Sequence, residues 1–398
     1  FTHIFKTKED WEKAYSEVES EISALSALKG TLGESADSLA KAYDTLFGFY
    51  EKFEPVADYA FLKKTIDGGD SEAQAMGDRV NMLAVKASSA AAFFDPELME
   101  IPEEKLAEFM KSDKMKKYAH IVEDATRLRA HVLDEKSEGI LAMMGKITGT
   151  PSDAYGMFTD VEMQLPKIKD SNGKEYELSS GNFTVMRESS DRALRENAFE
   201  AMFGTYGKYI NTIACLYSGS VKQDNVFAQI RGYKSAREAS LAGSNVPEAV
   251  YDALVEAIHA SIPTMSKYLK LRKKALGLEK LDVYDLYTPM VADIEYPMPY
   301  EKACEIVIEA VAPLGKDYQD VIRRAINENW IDVYETPGKE SGAFSAGVYG
   351  VHPFVKLNYS DGLDDAFTLA HELGHAMHSY LSSATQDYAN HDYRLLVA

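Results

Sequence analysis

Phe367-Thr368-Leu369-Ala370-His371-Glu372-Leu373-Gly374-His375-Ala376-Met377-His378-Ser379-Tyr380 is the stretch from which the rest of the chain is best read. Leu363, Phe367, Leu369 and Ala370 before the first histidine, and Ala376, Met377 and Tyr380 after the second, predict a buried helix. On a helix, an i, i+4 step sets His371 and His375 on one face, where their imidazoles can hold one Zn²⁺. Glu372 faces the same ion from the next position and can take the proton of a metal-activated water. The plainer alternative is two histidines on a polar face, with Glu372 as an i, i+3 partner of His375. The apolar flanks weigh against it, because unpaired His and Glu are costly in a buried setting.

A catalytic zinc takes three protein ligands and keeps one position open. Leu381 stands ten residues after His371, where a metzincin carries its third His, so that class is excluded. No Glu occurs between Ala376 and Ala398, and the remaining acidic or imidazole groups, Asp387, His391 and Asp392, read better as loop residues. Asp365, near the start of the helix, reads as an N-terminal cap more readily than as an orienting partner of a ligand. His378, three positions after His375, can touch substrate or serve as a satisfied core histidine.

The 398 residues carry 43 Lys plus Arg against 63 Asp plus Glu, a net charge of −20. That field disfavours nucleic acid and anionic membranes as partners. No apolar run approaches the ~20 residues of a membrane span. Cys215 and Cys304 form neither a disulfide framework nor a CxxC metal site, so a reducing, cytoplasmic setting is expected. The start at Phe1 and the end at Ala398 both read as cut.

Upstream, helical periodicity dominates. Trp11, Tyr15, Val18, Ile22 and Leu25 predict one amphipathic helix, with Thr7 and Asp10 as its cap and Gly30 as its stop. A second is predicted from Ser35 to Pro55, and a third from Ser71 to the Asp95-Pro96 breaker. Ile101-Pro102-Glu103-Glu104 opens a fresh helix, which divides the chain into an N-terminal helical lobe, 1–101, and a catalytic region, 102–398. Further helices are expected through Met144, from Ser189 to Gln229, from Pro247 to Leu276 and from Tyr300 to Asn329. Alternation between Asp160 and Met186 around Asp170-Ser171-Asn172-Gly173 predicts a β-hairpin, and Ile331 to Asn358 a second extended stretch. The fold class is mainly α with small β elements.

Three segments together carry a resemblance. They are Gly338-Lys339-Glu340-Ser341-Gly342-Ala343-Phe344-Ser345, Tyr349-Gly350-Val351-His352-Pro353-Phe354, and the zinc-motif helix from Thr368 to Ser379. They resemble the oligoendopeptidase F branch of the thimet-oligopeptidase-like zinc metallopeptidases. Weaker likeness extends over most of the chain, including Leu133 to Leu141, Arg231-Gly232-Tyr233-Lys234-Ser235 and Leu271 to Tyr287. The resemblance implies a zincin-like helical metallopeptidase with a deep channel between two lobes, a zinc at its floor and a preference for short peptides. It also implies that the third ligand is a Glu just beyond Ala398, so the catalytic region is incomplete at its C-terminal end.

The same likeness favours Gly342, Ala343 and Phe344 as substrate-binding residues on an edge strand that pairs with an extended peptide. The residues alone equally allow Gly and Ala to serve only close packing. The expected reaction is hydrolysis of internal bonds in oligopeptides, with His371 and His375 as metal ligands and Glu372 as base. The competing readings are a non-catalytic helical peptide-binding protein and a thermolysin-like protease acting on folded proteins.

Overall fold

The computed structural model describes residues 1–179, 182–291, 297–336, 338–340, 342–394 and 396–397, so Ser341 and Ala398 lie outside the described residues. It is mainly α, with 67% helix and 5% strand. Contacts group the chain into two compact units, Phe1–Gly139 with Tyr296–Ala398, and Ile140–Glu295.

The first unit opens with α1 (Lys8–Ser26), α2 (Ala36–Ile66) and α3 (Ser71–Ala91). The predicted cap of α1 is formed on both sides: Thr7 Oγ1 accepts from the Asp10 N–H at 3.2 Å, and Asp10 Oδ2 accepts from the Thr7 N–H at 3.0 Å. Trp11, Tyr15, Val18 and Leu25 then pack against Phe49, Val56, Tyr59 and Ala60 of α2 and Met76, Val80 and Leu83 of α3. That packing explains one departure from expectation. Pro55 does not end α2, which continues to Ile66. An interior proline costs ~3 kcal/mol, and burial of Val56, Tyr59, Ala60 and Leu62 beyond it, at ~1.5–3 kcal/mol for each large apolar side chain, outweighs that.

Pro96 does not break a helix either. It lies in the first turn of α4 (Phe94–Glu100), where a proline costs little because the first amides have no helical partner anyway. The predicted start at Pro102 opens α5 (Glu103–Phe109), followed by α6 (Ala119–Thr126). The boundary between the units falls within α7 (Glu135–Thr148).

The second unit holds the rest of α7, then α8 (Thr150–Gly156), α9 (Phe183–Glu188), α10 (Arg192–Lys208), α11 (Ile210–Ile230), α12 (Ala236–Ala242) and α13 (Glu248–Ala275). The predicted hairpin shrinks to β1 (Ile168–Lys169) and β2 (Glu175–Tyr176), paired antiparallel across the Asp170–Gly173 turn. The preceding stretch Met157–Glu162 is helical, not extended. A buried polar node ties α10 to the 279–291 segment. Asp285 is fully buried and accepts from Arg195 Nη2 at 2.8 Å and Arg192 Nη2 at 3.1 Å, and Arg272 Nε donates to its carbonyl at 2.9 Å.

The chain returns to the first unit through α14 (Tyr300–Ala310) and α15 (Lys316–Asn327), with the left-handed Gly315, φ +103°, breaking what was expected as one helix. Three strands follow: β3 (Ile331–Tyr334), β4 (Phe344–Ala346) and β5 (Phe354–Tyr359), in the order β3-β5-β4. β5 is parallel to β3 and antiparallel to β4. One face of β5, Val355, Leu357 and Tyr359, is buried in a core with Leu369, Leu373, Ala376 and Met377 of the final helix, α16 (Leu363–Thr385).

The N-terminal helices and the C-terminal segment thus share a unit. Glu340 N donates to Thr65 O at 2.9 Å, Gly68 N to Gly338 O at 2.7 Å, and Leu62 packs with Val348 and Phe354. These contacts group the residues differently from the division expected at 101/102. No helix among the described residues is long and apolar enough to cross a membrane.

Candidate metal centre

The histidine-bearing helix α16 is set by its cap and its core face. Asp365 Oδ2 accepts from Gly362 N at 2.9 Å, Ser360 N at 3.0 Å and Ser360 Oγ at 2.8 Å, which makes it the expected N-terminal anchor. Leu369, Leu373, Ala376 and Met377 fix the rotation of the helix by facing the sheet.

That rotation brings His371 and His375 together. Their Nε2 atoms are 3.1 Å apart and their rings nearly perpendicular, at 89°. Two imidazole nitrogens, each ~2.0–2.1 Å from one zinc in tetrahedral geometry, would lie ~3.3 Å apart, so the pair fits a shared ion. Glu372, between them in sequence, is buried. It is 7% exposed and accepts no hydrogen bond among the described residues. Burial raises its carboxyl above the ordinary range, opposed by the adjacent His371 and His375. Among the described residues no group of three or more possible ligands converges on one point.

Two of the other candidates near the C-terminus, His391 and Asp392, are engaged elsewhere. His391 Nδ1 lies 2.6 Å from Tyr388 O and its Nε2 3.8 Å from Glu54 Oε2 on α2, and Asp392 Oδ1 accepts from Tyr393 N at 2.8 Å. Tyr349 donates its hydroxyl to Gln386 O at 3.0 Å, and His352 stacks on Trp330 with ring centres 4.5 Å apart, so both brace the scaffold. His378 lies under Tyr393, whose ring stacks on it at 3.5 Å between centres and whose hydroxyl is 3.1 Å from Ser379 Oγ.

β4 pairs only with β5 and leaves its other edge open. Val355 N donates to Trp330 O at 2.8 Å, so the Val355 amide faces away from β4. Antiparallel alternation then turns Phe344 and Ala346 inward to their partners Lys356 and Phe354. Ser345, and Ala343 just before the strand, direct their N–H and C=O groups to the open edge, with no backbone partner among the described residues. Of the three residues expected at this edge, Phe344 therefore gives its backbone to β5 and its ring to Phe61, at 5.5 Å. Ser345 belongs to the Ser341–Ser345 stretch read from sequence as an edge strand; the two-residue repeat of a strand is the signal that separates its inward from its outward residues. The strand lies close to α16, since a Cβ on Gly347 would come within 2.9 Å of Ser379 Cβ.

A model described as "Peptidase family M3" matches residues 185–398, and one described as "Oligopeptidase F" matches residues 97–164. Oligopeptidase PepF of Bacillus subtilis (strain 168) is 39% identical over 99% of the chain, which covers 59% of that protein. An oligoendopeptidase F homolog of Lactococcus lactis subsp. lactis (strain IL1403) is 36% identical over 100% of the chain, which covers 66% of it. The chain thus spans about three-fifths to two-thirds of the length of these relatives. Among solved structures, oligoendopeptidase-F from Enterococcus faecium superposes with a TM-score of 0.69 at 31% identity, covering 94% of this chain and 63% of its own. A Chlamydophila abortus protein superposes with a TM-score of 0.81 at 27% identity over 100% of this chain and 67% of its own.

Proposed function

The chain belongs to peptidase family M3, and from that premise we propose that the protein is a zinc-dependent endopeptidase hydrolysing internal bonds of short peptides. The observation that carries this reading is the convergence of His371 Nε2 and His375 Nε2 to 3.1 Å beside the buried Glu372. His371 and His375 would hold one zinc ion, together with the Glu that the family resemblance sets just beyond Ala398. A bound zinc supplies Lewis-acid polarisation of a carbonyl and an acidified water.

Glu372 takes the proton of the attacking water on its carboxylate and passes it to the leaving amine nitrogen. The edge of β4 binds the peptide as an added strand, through the outward backbone groups of Ala343 and Ser345. Gly342 and Phe344 shape that edge, and His378, held by Tyr393, is a further substrate contact. Strand addition reads backbone and not side chains, which suits a sequence-tolerant oligopeptidase. The absence of a long apolar helix among the described residues and the cysteine pattern support a cytoplasmic setting. The charge of −20 weighs against nucleic acid as a partner.

The test is cleavage of an internally quenched peptide of about ten residues by the full-length protein, with and without a chelator, alongside casein. Short-peptide cleavage that is lost on chelation and restored by zinc, with casein left intact, is the expected result. Comparable digestion of casein would favour a thermolysin-like protease, and no metal-dependent cleavage at all would favour a peptide-binding protein.

A further inference from the structure

The geometry points to Asn358 of β5 as the positioning residue that aims the Ala343 amide at the substrate, an inference that rests on the edge-strand reading above. The segment leading into β4 carries little regular structure of its own, yet it is tied at every described backbone group that matters. Asn358 Nδ2 donates to Glu340 O and to Gly342 O, both at 2.9 Å, so both of its amide hydrogens are used. Glu340 O also accepts from Lys356 Nζ at 2.7 Å, which fills its second lone pair, while Glu340 N donates to Thr65 O at 2.9 Å. Lys356 and Asn358 stand two apart on one face of β5, the face opposite Val355, Leu357 and Tyr359, so the strand period delivers both to the same loop.

The consequence runs through one peptide plane. A trans peptide holds its C=O and the following N–H antiparallel. With Gly342 O drawn to Asn358, the Ala343 N–H must point the opposite way, to the open edge of β4. That plane turns about ψ of Gly342 and φ of Ala343, and Gly342, which holds φ +79° and carries no Cβ, leaves the first of these weakly restrained. Asn358 therefore removes a freedom that Gly342 introduces. Without it, the 342–343 plane can flip and present a carbonyl where a substrate carbonyl needs a donor.

A positioning role makes a kinetic prediction that a merely structural one does not. In the full-length zinc enzyme, Asn358→Ala and Asn358→Asp raise KM for a short quenched peptide by roughly five- to tenfold, leave kcat within twofold and leave zinc content unchanged. Asp is the more severe of the two, since its carboxylate faces two carbonyl oxygens. A structural role would instead lower the active fraction, reducing kcat with KM unchanged, and that pattern overturns the inference, as does native KM in both variants. Should Asn358→Asp fail to fold, Asn358→Ala, which leaves water to satisfy the two carbonyls, carries the test.

Ala343→Pro, which deletes the amide outright, separates this inference from the reading beneath it. If it raises KM while the Asn358 variants do not, the edge strand binds peptide and the role of Asn358 is wrong. If it leaves KM unchanged, the edge-strand reading itself fails and the inference goes with it.

Discussion

His371 and His375 bring their Nε2 atoms to 3.1 Å of each other one turn apart on α16, and neither side chain is buried in the core that holds the helix. The arrangement is set by the neighbours Leu369, Leu373 and Met377. Replacing either histidine by Ala should leave the fold intact and weaken zinc binding in the full-length protein by more than ~100-fold, beyond the 10–100-fold cost of losing an outer-shell partner. Elemental analysis after dialysis against a zinc buffer, with helicity followed by circular dichroism, checks both halves of the statement.

Glu372 separates metal binding from chemistry. The Gln side chain has nearly the same volume and carries no charge into the buried position. Glu372→Gln should therefore retain zinc and melt no lower than the native protein, while kcat falls by ~10²–10⁴, the usual worth of a general base. Retained turnover at native zinc content would remove Glu372 from the mechanism.

How much of this was legible in the sequence depends on the range of the interaction involved. The α1 cap, the Asp365 cap and the facing of His371 and His375 are decided within four residues, and the residue types alone predict them. Pro55 reads as a stop because local sequence shows the cost of proline and not the tertiary core that repays it through Val56, Tyr59 and Leu62, and Pro96 because the same residue type also fits the first turn of a new helix. The hairpin was over-extended because the alternation of Val161, Met163 and Leu165 mimics a strand where the chain is still helical to Glu162. Which residues of the stretch ending at Ser345 face the open edge is not legible for another reason: it depends on the bond from Val355 N to Trp330 O, and no local pattern encodes that partner. The third ligand could not be assigned from residues 1–398 by sequence, and no such cluster forms among the described ones.

Asp285 should be the most sensitive polar residue of the second unit. Its carboxylate is fully buried against Arg195 Nη2 at 2.8 Å and Arg192 Nη2 at 3.1 Å, and Arg195 is itself only 3% exposed. Asp285→Ala leaves the Arg195 guanidinium buried without its counter-charge, which should cost about 3–5 kcal/mol. Denaturant unfolding of the variant should show this loss, whereas Lys280→Ala, which removes an exposed partner of Asp282, should change stability by less than ~1 kcal/mol.

Asp58 offers a prediction whose sign depends on pH. It lies one turn from Glu54 on α2, and burial first, then the negative charge of Glu54, push its carboxyl up to about 7. Glu54 is in turn occupied by the Tyr349 amide at 3.0 Å and by His391 at 3.8 Å, so it cannot move away to relieve the repulsion. In the unfolded chain Asp58 titrates near ~4. Its protonated form is thus favoured by folding, and its contribution is full below pH ~4, declines as pH rises towards 7, and stays lost above that. Asn mimics the protonated carboxyl at every pH. Asp58→Asn should therefore match the native protein near pH 4, gain on it steadily to pH 7, and hold a constant advantage on the order of 4 kcal/mol at pH 8. His391 is present in both proteins, so its own titration largely cancels from the comparison. Melting curves taken in parallel at pH 4, 5, 6, 7 and 8 read the difference directly, and an advantage that does not vary with pH would mean that Asp58 does not titrate in this window.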